Sequence, residues 1–439
     1  MVMDVIKVGY KGLDVGALSF DETTGIGVFQ YTRDFQYSGI ELSPIMMPLS
    51  NRIFSFPHLN FETFKGLPGM VADSLPDDFG NRILNAWVAS QGRDAKSITP
   101  LERLRYTGTR GMGALEYSPA EKMKGFNASR QVEIEELLKI AQEVLDTRSL
   151  LEVELKSDGA DDKEAMLALL SVGTSAGGAR PKAVLAFNED FTQVRSGQTD
   201  VPDGFTHYLM KFDGVSEHNK DKETFGDPAG YGAMEYVYYQ MATQCGITMM
   251  PCKLLQEGDR QHFITQRFDR IGNKKVHVQT LNGLAHIDYK DPGSFSYAEL
   301  FGIARKLNLG ITDAEQLLKR MIFNIVAKNH DDHAKNFGFV LDGDRWALSP
   351  AYDIAFSFKD DSAWVRDHWM SLNGKRNNFE LKDFHSLSIL GKFFSEKRIN
   401  EELELAISVV SNWRKLALDS NVPERLIKLV ESNVRLKFE

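Results

Sequence analysis

Apolar residues recur at helical spacing through AEQLLKRMIFNIVAKN (residues 314–329), which predicts a buried helix there. It delivers NHDDHAKN (329–336) at its C-terminal end, a short stretch crowded with acids, histidines, a lysine and an asparagine. FGFVLDG and DRWALSP follow as two short strands joined at DGD, a hairpin signal. A hairpin returns the chain to its start. Asp353 should therefore come back beside Asn336 despite the 17 positions between them.

Elsewhere the pattern changes along the chain. Roughly the first 120 residues read as short strands punctuated by glycine, then a helix over PDDFGNRILNAWVAS. The glycine-rich TGTRGMGALEY at 107–117 reads as a structural turn in preference to a phosphate loop, and the polar EKMKGFNASR as a boundary. Helices are expected over VEIEELLKIAQEVLDTR and DKEAMLALLSV, then strands over KAVLAFN and THYLMKFD. GAMEYVYYQMATQCG predicts a further helix, CKLLQEGDRQHFITQRFDR a hairpin-like pair, and the chain beyond about 295 is mostly helical. The fold class expected is α+β, with a mixed first part, a helical second part and a cleft between two lobes.

Composition narrows the functions. The 439 residues exceed one ordinary core, so two or three packed subdomains are expected. A hydrophobic content of 42% with 26% charge is that of a globular protein, and a net charge of −9 argues against general nucleic-acid binding. Cys245 and Cys252 are too few for a disulfide scaffold or a zinc site and read as buried, reduced thiols. The N-terminus lacks an apolar signal core, and MLALLSV at 166–172 is too short to span a bilayer, so the expectation is a soluble, cytoplasmic protein.

The hairpin gathers Asp331, Asn336 and Asp353 at one rim, a set suited to phosphoryl transfer. A placed carboxylate accepts the proton of an attacking hydroxyl, while an asparagine and a second aspartate hold Mg²⁺ against nucleotide phosphates. Kinases space the base and the asparagine as D-x-x-x-x-N, which Asp331 satisfies and Asp332 does not. All-oxygen ligands suit Mg²⁺ better than zinc. Asp332 then reads as a solvated or loop-stabilising acid, Lys335 as a group that steadies the transferred phosphate, and His333 either as an orienter of the carboxylate or as a loop residue.

These residues resemble a family. NHDDHAKNFGF with LSPAYDI, and also SAGGARPK at 175–182, HYLMKFD at 207–213 and QRFDR at 266–270, are similar to motifs of the HipA-like serine/threonine kinases. Those are the toxin halves of bacterial toxin–antitoxin pairs. LPDDFGNRIL and GALEY resemble that family's N-terminal subdomain. The resemblance implies a two-lobed protein-kinase-like fold, divided as an N-terminal HipA-like subdomain (1–125), the rest of the N-lobe (126–268) and a helical C-terminal kinase lobe (269–439). It implies ATP and Mg²⁺, with Asp331 as catalytic aspartate, Asn336 and Asp353 as metal ligands and Lys211 as the lysine gripping the phosphates.

By the same resemblance SAGGARPK is the phosphate loop, with Gly177, Gly178 and Ala179 at the nucleotide, Lys182 touching phosphate and Ser175 as an autophosphorylation site. Arg180-Pro181 departs from better-known members. QRFDR corresponds to the hinge beneath adenine, with Gln266 and Phe268 beside the nucleotide. The implied partners are a protein substrate in the translation machinery, such as an aminoacyl-tRNA synthetase, and a small DNA-binding HipB-like antitoxin. DNA would be reached only through that antitoxin, and no membrane is involved. Two other readings stand beside this one. A metal-dependent phosphohydrolase built on His330-Asp331 needs further ligands, and His207, His262, His277 and His286 form no such series. A catalytically inactive partner of an antitoxin is the other, against which the intact Asp331, Asn336 and Asp353 argue.

Overall fold

The computed structural model describes residues 4–121, 131, 133–146, 180–216, 226–227 and 229–439. The chain folds as two compact units. The first comprises Met1–Leu42, Met47–Gly232 and Lys253–Val278, and the second Ser43–Met46, Ala233–Cys252 and Gln279–Glu439.

The first unit opens with an antiparallel sheet. Its strands run in the order Phe54–Ser55, Ile26–Tyr31, Leu13–Asp21, Asp4–Tyr10 and Leu115–Ser118. Ile6, Val8 and Tyr10 alternate inward, the period that a half-buried strand requires. Lys11 and Gly12 both take positive φ between paired Tyr10 and Leu13, as a two-residue hairpin turn demands. The predicted helix spans Asp78–Ser90, started by Asp77, whose carboxylate accepts the Gly80 N–H.

A second sheet has the order Cys252–Glu257, Arg260–Gln266, Phe205–Lys211, Lys182–Asn188 and Val194–Ser196. Phe79, Ile83 and Leu84 of the first helix pack with Leu137 and Leu138 of the helix Ile134–Asp146 against Leu185, Met210 and Ile264 of this sheet. The QRFDR segment is a charge node in the same unit. Asp269 is fully buried and accepts from Arg267, Arg270 and the Gly113 N–H. Burial raises its carboxyl, but the two guanidiniums and the N–H outweigh that and hold it well below the usual range. Arg270 also donates to the carbonyls of Gly111 and Gly113, so TGTRGMGALEY is tied down as structure.

The second unit is built around the helix Ile311–Val326. Its buried Leu317, Leu318, Met321, Ile322, Phe323 and Ile325 form the expected apolar face. The helix ends three residues before the sequence pattern does. Ala327 caps it, and Lys328 turns the chain at φ 58. The helices Tyr297–Lys306, Glu396–Val410, Trp413–Asp419 and Glu424–Glu431 also belong to the unit, the first with a Ser296/Glu299 capping box. No disulfide joins the buried Cys245 and Cys252. Among the described residues no helix is long and apolar enough to cross a membrane.

Candidate active site

In the second unit, the polar loop leaving Val326 is built from its own hydrogen bonds. The Asn329 amide donates to Asn324 Oδ1 at 2.9 Å, and the His330 N–H to the Ser357 carbonyl at 3.2 Å. Ala334–Asn336 form a single 3₁₀ turn. Asn336 Nδ2 donates to the Asp331 carbonyl at 2.7 Å, which closes the D-x-x-x-x-N interval into a fixed loop.

The hairpin forms where the sequence predicts it. Gly338–Asp342 pairs with Arg345–Leu348, and Gly343 takes φ 64 at the turn. Tyr352 Oη then donates to the Lys335 carbonyl at 2.8 Å, which ties the returning strand end to the loop. Gly338 permits this approach, since a Cβ there would stand 2.9 Å from Ser349 Oγ and 3.0 Å from Tyr352 Oη. Asn336 and Asp353 line one small pocket of about 10 Å³ together with Asn324, Asn329, Asp332 and the buried guanidinium of Arg320. That is roughly the space of one water molecule or ion. Asp353 sits at φ 53, a left-handed conformation that non-glycine residues adopt at a cost of about 1–3 kcal/mol and that clusters at functional sites. The asparagine amide oxygen and the Asp353 carboxylate offer the hard donors that a divalent cation takes, and they face the opposing charge of Arg320 across the same space.

The two acids of the doublet are separated completely. Asp331 keeps 35% of its side-chain surface exposed, and its Oδ1 accepts the Trp364 indole N–H at 2.8 Å. His333 Nε2 lies 3.5 Å from the same oxygen, beyond a tight hydrogen bond. Asp332 is wholly buried and accepts from Tyr297 Oη, the Trp369 N–H and His368 Nδ1 at 2.5, 2.7 and 2.9 Å. It is the loop-stabilising acid. Burial, with the Asp332 charge beside it, raises the Tyr297 phenol well above its ordinary range and keeps it a donor. Lys335 Nζ lies over the Tyr289 ring at 4.6 Å.

His330 is buried, bonds the Arg366 carbonyl through Nδ1 and lies with its ring centre 4.0 Å from that of His368, the planes tilted by 35°. Burial first, then the neighbouring His368 and Lys328, pushes its imidazole down to about 2. In the first unit, burial likewise pushes His277 down to about 4. Both folded values lie below the ordinary value of about 6.5. The unfolded chain therefore binds these protons first, and stability present above about pH 6.5 is lost as the pH falls. Each ring is expected to contribute a loss of up to about 1.4 kcal/mol per pH unit between pH 6.5 and 5. Urea unfolding at stepped pH measures this, and a flat stability across that interval would show that the rings take up protons in the fold.

The residues expected to hold the nucleotide lie in the first unit. Lys182 and Lys211 are direct cross-strand partners, both buried. Like charges side by side repel, so this register needs anions close by. Asp77 Oδ2 is 3.6 Å from Lys182 Nζ. Lys211 Nζ lies over Phe263 at 5.9 Å. Gln266 pairs with Tyr208 at the end of its strand, and the following Arg267 N–H bonds the His207 carbonyl at 2.9 Å. Phe268 is half-buried. Ser175, Gly177, Gly178 and Ala179 lie outside the described residues, as does the helix expected over 162–172. Asp77, Trp364 and the partners of Asp332 escape sequence reasoning. Asp77 is legible as a helix cap, but nothing marks Trp364, in an irregular stretch 33 positions from Asp331.

Comparison with known proteins gives the family and the fold. The family model for the HipA-like C-terminal domain matches residues 174–413, more than half of the chain, and that for the HipA N-terminal domain matches 6–118. The chain belongs to the HipA-like family. The serine/threonine-protein kinase toxin HipA of Shewanella oneidensis is 23% identical over 368 residues, spanning 78% of this chain and 72% of that protein. A Sinorhizobium fredii protein named as a kinase, Y4mE, is 26% identical over 125 residues, but this covers only 26% of this chain and 30% of that relative's length. Among solved structures, HipA of Shewanella oneidensis MR-1, in a complex with HipB and operator DNA, superposes with a TM-score of 0.67 at 16% identity over 97% of this chain and 95% of that one. The α+β, kinase-like architecture expected for a HipA-like chain is the architecture found.

Proposed function

We propose that this HipA-like protein is an ATP-dependent serine/threonine protein kinase, the toxin half of a toxin–antitoxin pair. The observation that carries the reading is the closed loop from Asp331 to Asn336 with Asp353 returned to the same pocket as Asn336. Asp331 accepts the proton of a serine or threonine hydroxyl. As that O–H bond breaks, the oxygen bonds the γ-phosphorus, the bond to the β-phosphate oxygen breaks, and ADP leaves. Asn336 and Asp353 would hold Mg²⁺, which when bound neutralises charge on the phosphate oxygens. Lys182 and Lys211, cross-strand partners in one sheet, would supply fixed positive charge to the phosphates. Phosphate incorporated on incubation with Mg²⁺-ATP, read by intact mass and peptide analysis, is the expected result. Its absence from both this chain and substrates of the translation machinery, aminoacyl-tRNA synthetases included, would remove the kinase assignment.

The partner reading follows from the likeness to a HipA in complex with HipB and operator DNA. A small DNA-binding antitoxin would recognise the operator and carry this acidic chain to it. Gel shifts of the DNA upstream of its own gene are expected only when the neighbouring small protein is added. A tight, sequence-specific shift by this chain alone at physiological salt would contradict the partner model.

A further inference from the structure

Asp331 is held by a group that the kinase constellation does not include. Trp364 donates its indole N–H to Asp331 Oδ1 at 2.8 Å. The ring is half-buried and meets two others. Tyr289 stands edge-on to it at 6.2 Å, His333 at 5.9 Å, and Tyr289 meets His333 at 5.3 Å. Its backbone is fixed too, because Ser362 Oγ accepts the N–H groups of Trp364 and Val365 at 3.1 and 3.3 Å, and Ser362 is buried. The indole is thus held through both its ring and its backbone before it reaches the carboxylate.

On the kinase reading above, we propose that Trp364 is the positioning residue of the catalytic base. A carboxylate on two rotatable bonds can present either oxygen in many directions. An indole N–H offers one donor in the plane of a rigid ring, so it fixes Oδ1 and with it the plane of the whole group. Among the described residues no donor bonds Oδ2, and the side chain keeps 35% of its surface exposed. Oδ2 is then the oxygen turned to the incoming hydroxyl. The arrangement separates two duties on one carboxylate: Oδ1 is anchored, and Oδ2 takes the proton. His333, at 3.5 Å, walls the ring more than it bonds the acid.

Trp364→Phe tests this, since it keeps an aromatic ring beside Tyr289 and His333 and deletes the N–H. Loss of one hydrogen bond to a charged group is expected to lower kcat about tenfold. The KM for ATP and the thermal midpoint should stay as in the wild type, whereas a merely structural role would move the midpoint. An unchanged or increased kcat overturns the proposal, an increase because the indole would then be competing with the substrate hydroxyl. Phosphate transfer absent from the wild type as well would remove the kinase reading itself, a distinct result. A second measurement does not depend on the phenylalanine variant folding. In ¹⁵N-indole spectra of the full chain, the Trp364 N–H resonance should move upfield in Asp331→Ala, and a resonance that stays in place would overturn the contact.

Discussion

Asp331→Asn is expected to reduce phosphate transfer by roughly 10²–10⁴-fold, the usual loss when a general base is removed. The substitution keeps the side chain's size and an oxygen able to accept from Trp364, so the local geometry survives. What disappears is the capacity to take a proton from the hydroxyl. Stability should hardly change, because the Asp331 side chain is 35% exposed and makes no buried ion pair. Paired measurements of turnover and urea unfolding check both halves. Turnover like the wild type's would remove Asp331 from the base role, and a collapsed fold would show that the acid is structural.

The neighbouring acid should behave in the opposite way. Asp332→Ala is expected to destabilise the protein by about 3–5 kcal/mol, the cost of removing one partner from a buried charged network. Its carboxylate takes three donors at once, Tyr297 Oη, His368 Nδ1 and the Trp369 N–H. Tyr297 Oη in turn accepts from Asn324, and Asn324 holds Asn329, so the network reaches from the central helix into the loop. Alanine leaves those donors buried without their acceptor, which is more costly than losing the bonds alone. The urea midpoint should fall well below that of Asp331→Asn. A midpoint within error of the wild type would show that water or a neighbour replaces the carboxylate at little cost.

This doublet shows what spacing can and cannot decide. The interval to Asn336 distinguishes Asp331 from Asp332 in the sequence, because a loop of fixed length places only one of them opposite the asparagine amide. The fate of Asp332 depends on Tyr297 and His368, each more than 30 positions away. Burial is decided by whichever distant side chains arrive around a residue, and no local pattern encodes their arrival.

The elements and the returning hairpin were legible for local reasons. The apolar period of the central helix, the turn at Gly343 and the alternation in the first strands each reflect interactions within a few residues. The central helix nevertheless ends three residues before its pattern does, because Lys328 adopts a left-handed turn that the apolar period does not register. Glycine-rich 107–117 looked like a turn from its composition, while its anchor, buried Asp269 with Arg267 and Arg270, lies over 150 positions further on.

The sequence by itself determined the α+β order of elements, the loop with its aspartate and asparagine, the return of Asp353 and the family likeness, since each rests on periodicity, spacing or short motifs. Only the tertiary structure decided that Asp332 is a buried anchor, that Lys182 faces Lys211 across a strand pair with Asp77 beside it, and that Trp364 reaches Asp331. Those outcomes depend on strand register and on long-range packing. In both, free energy is shared among residues far apart in the chain, so no stretch of sequence carries it alone.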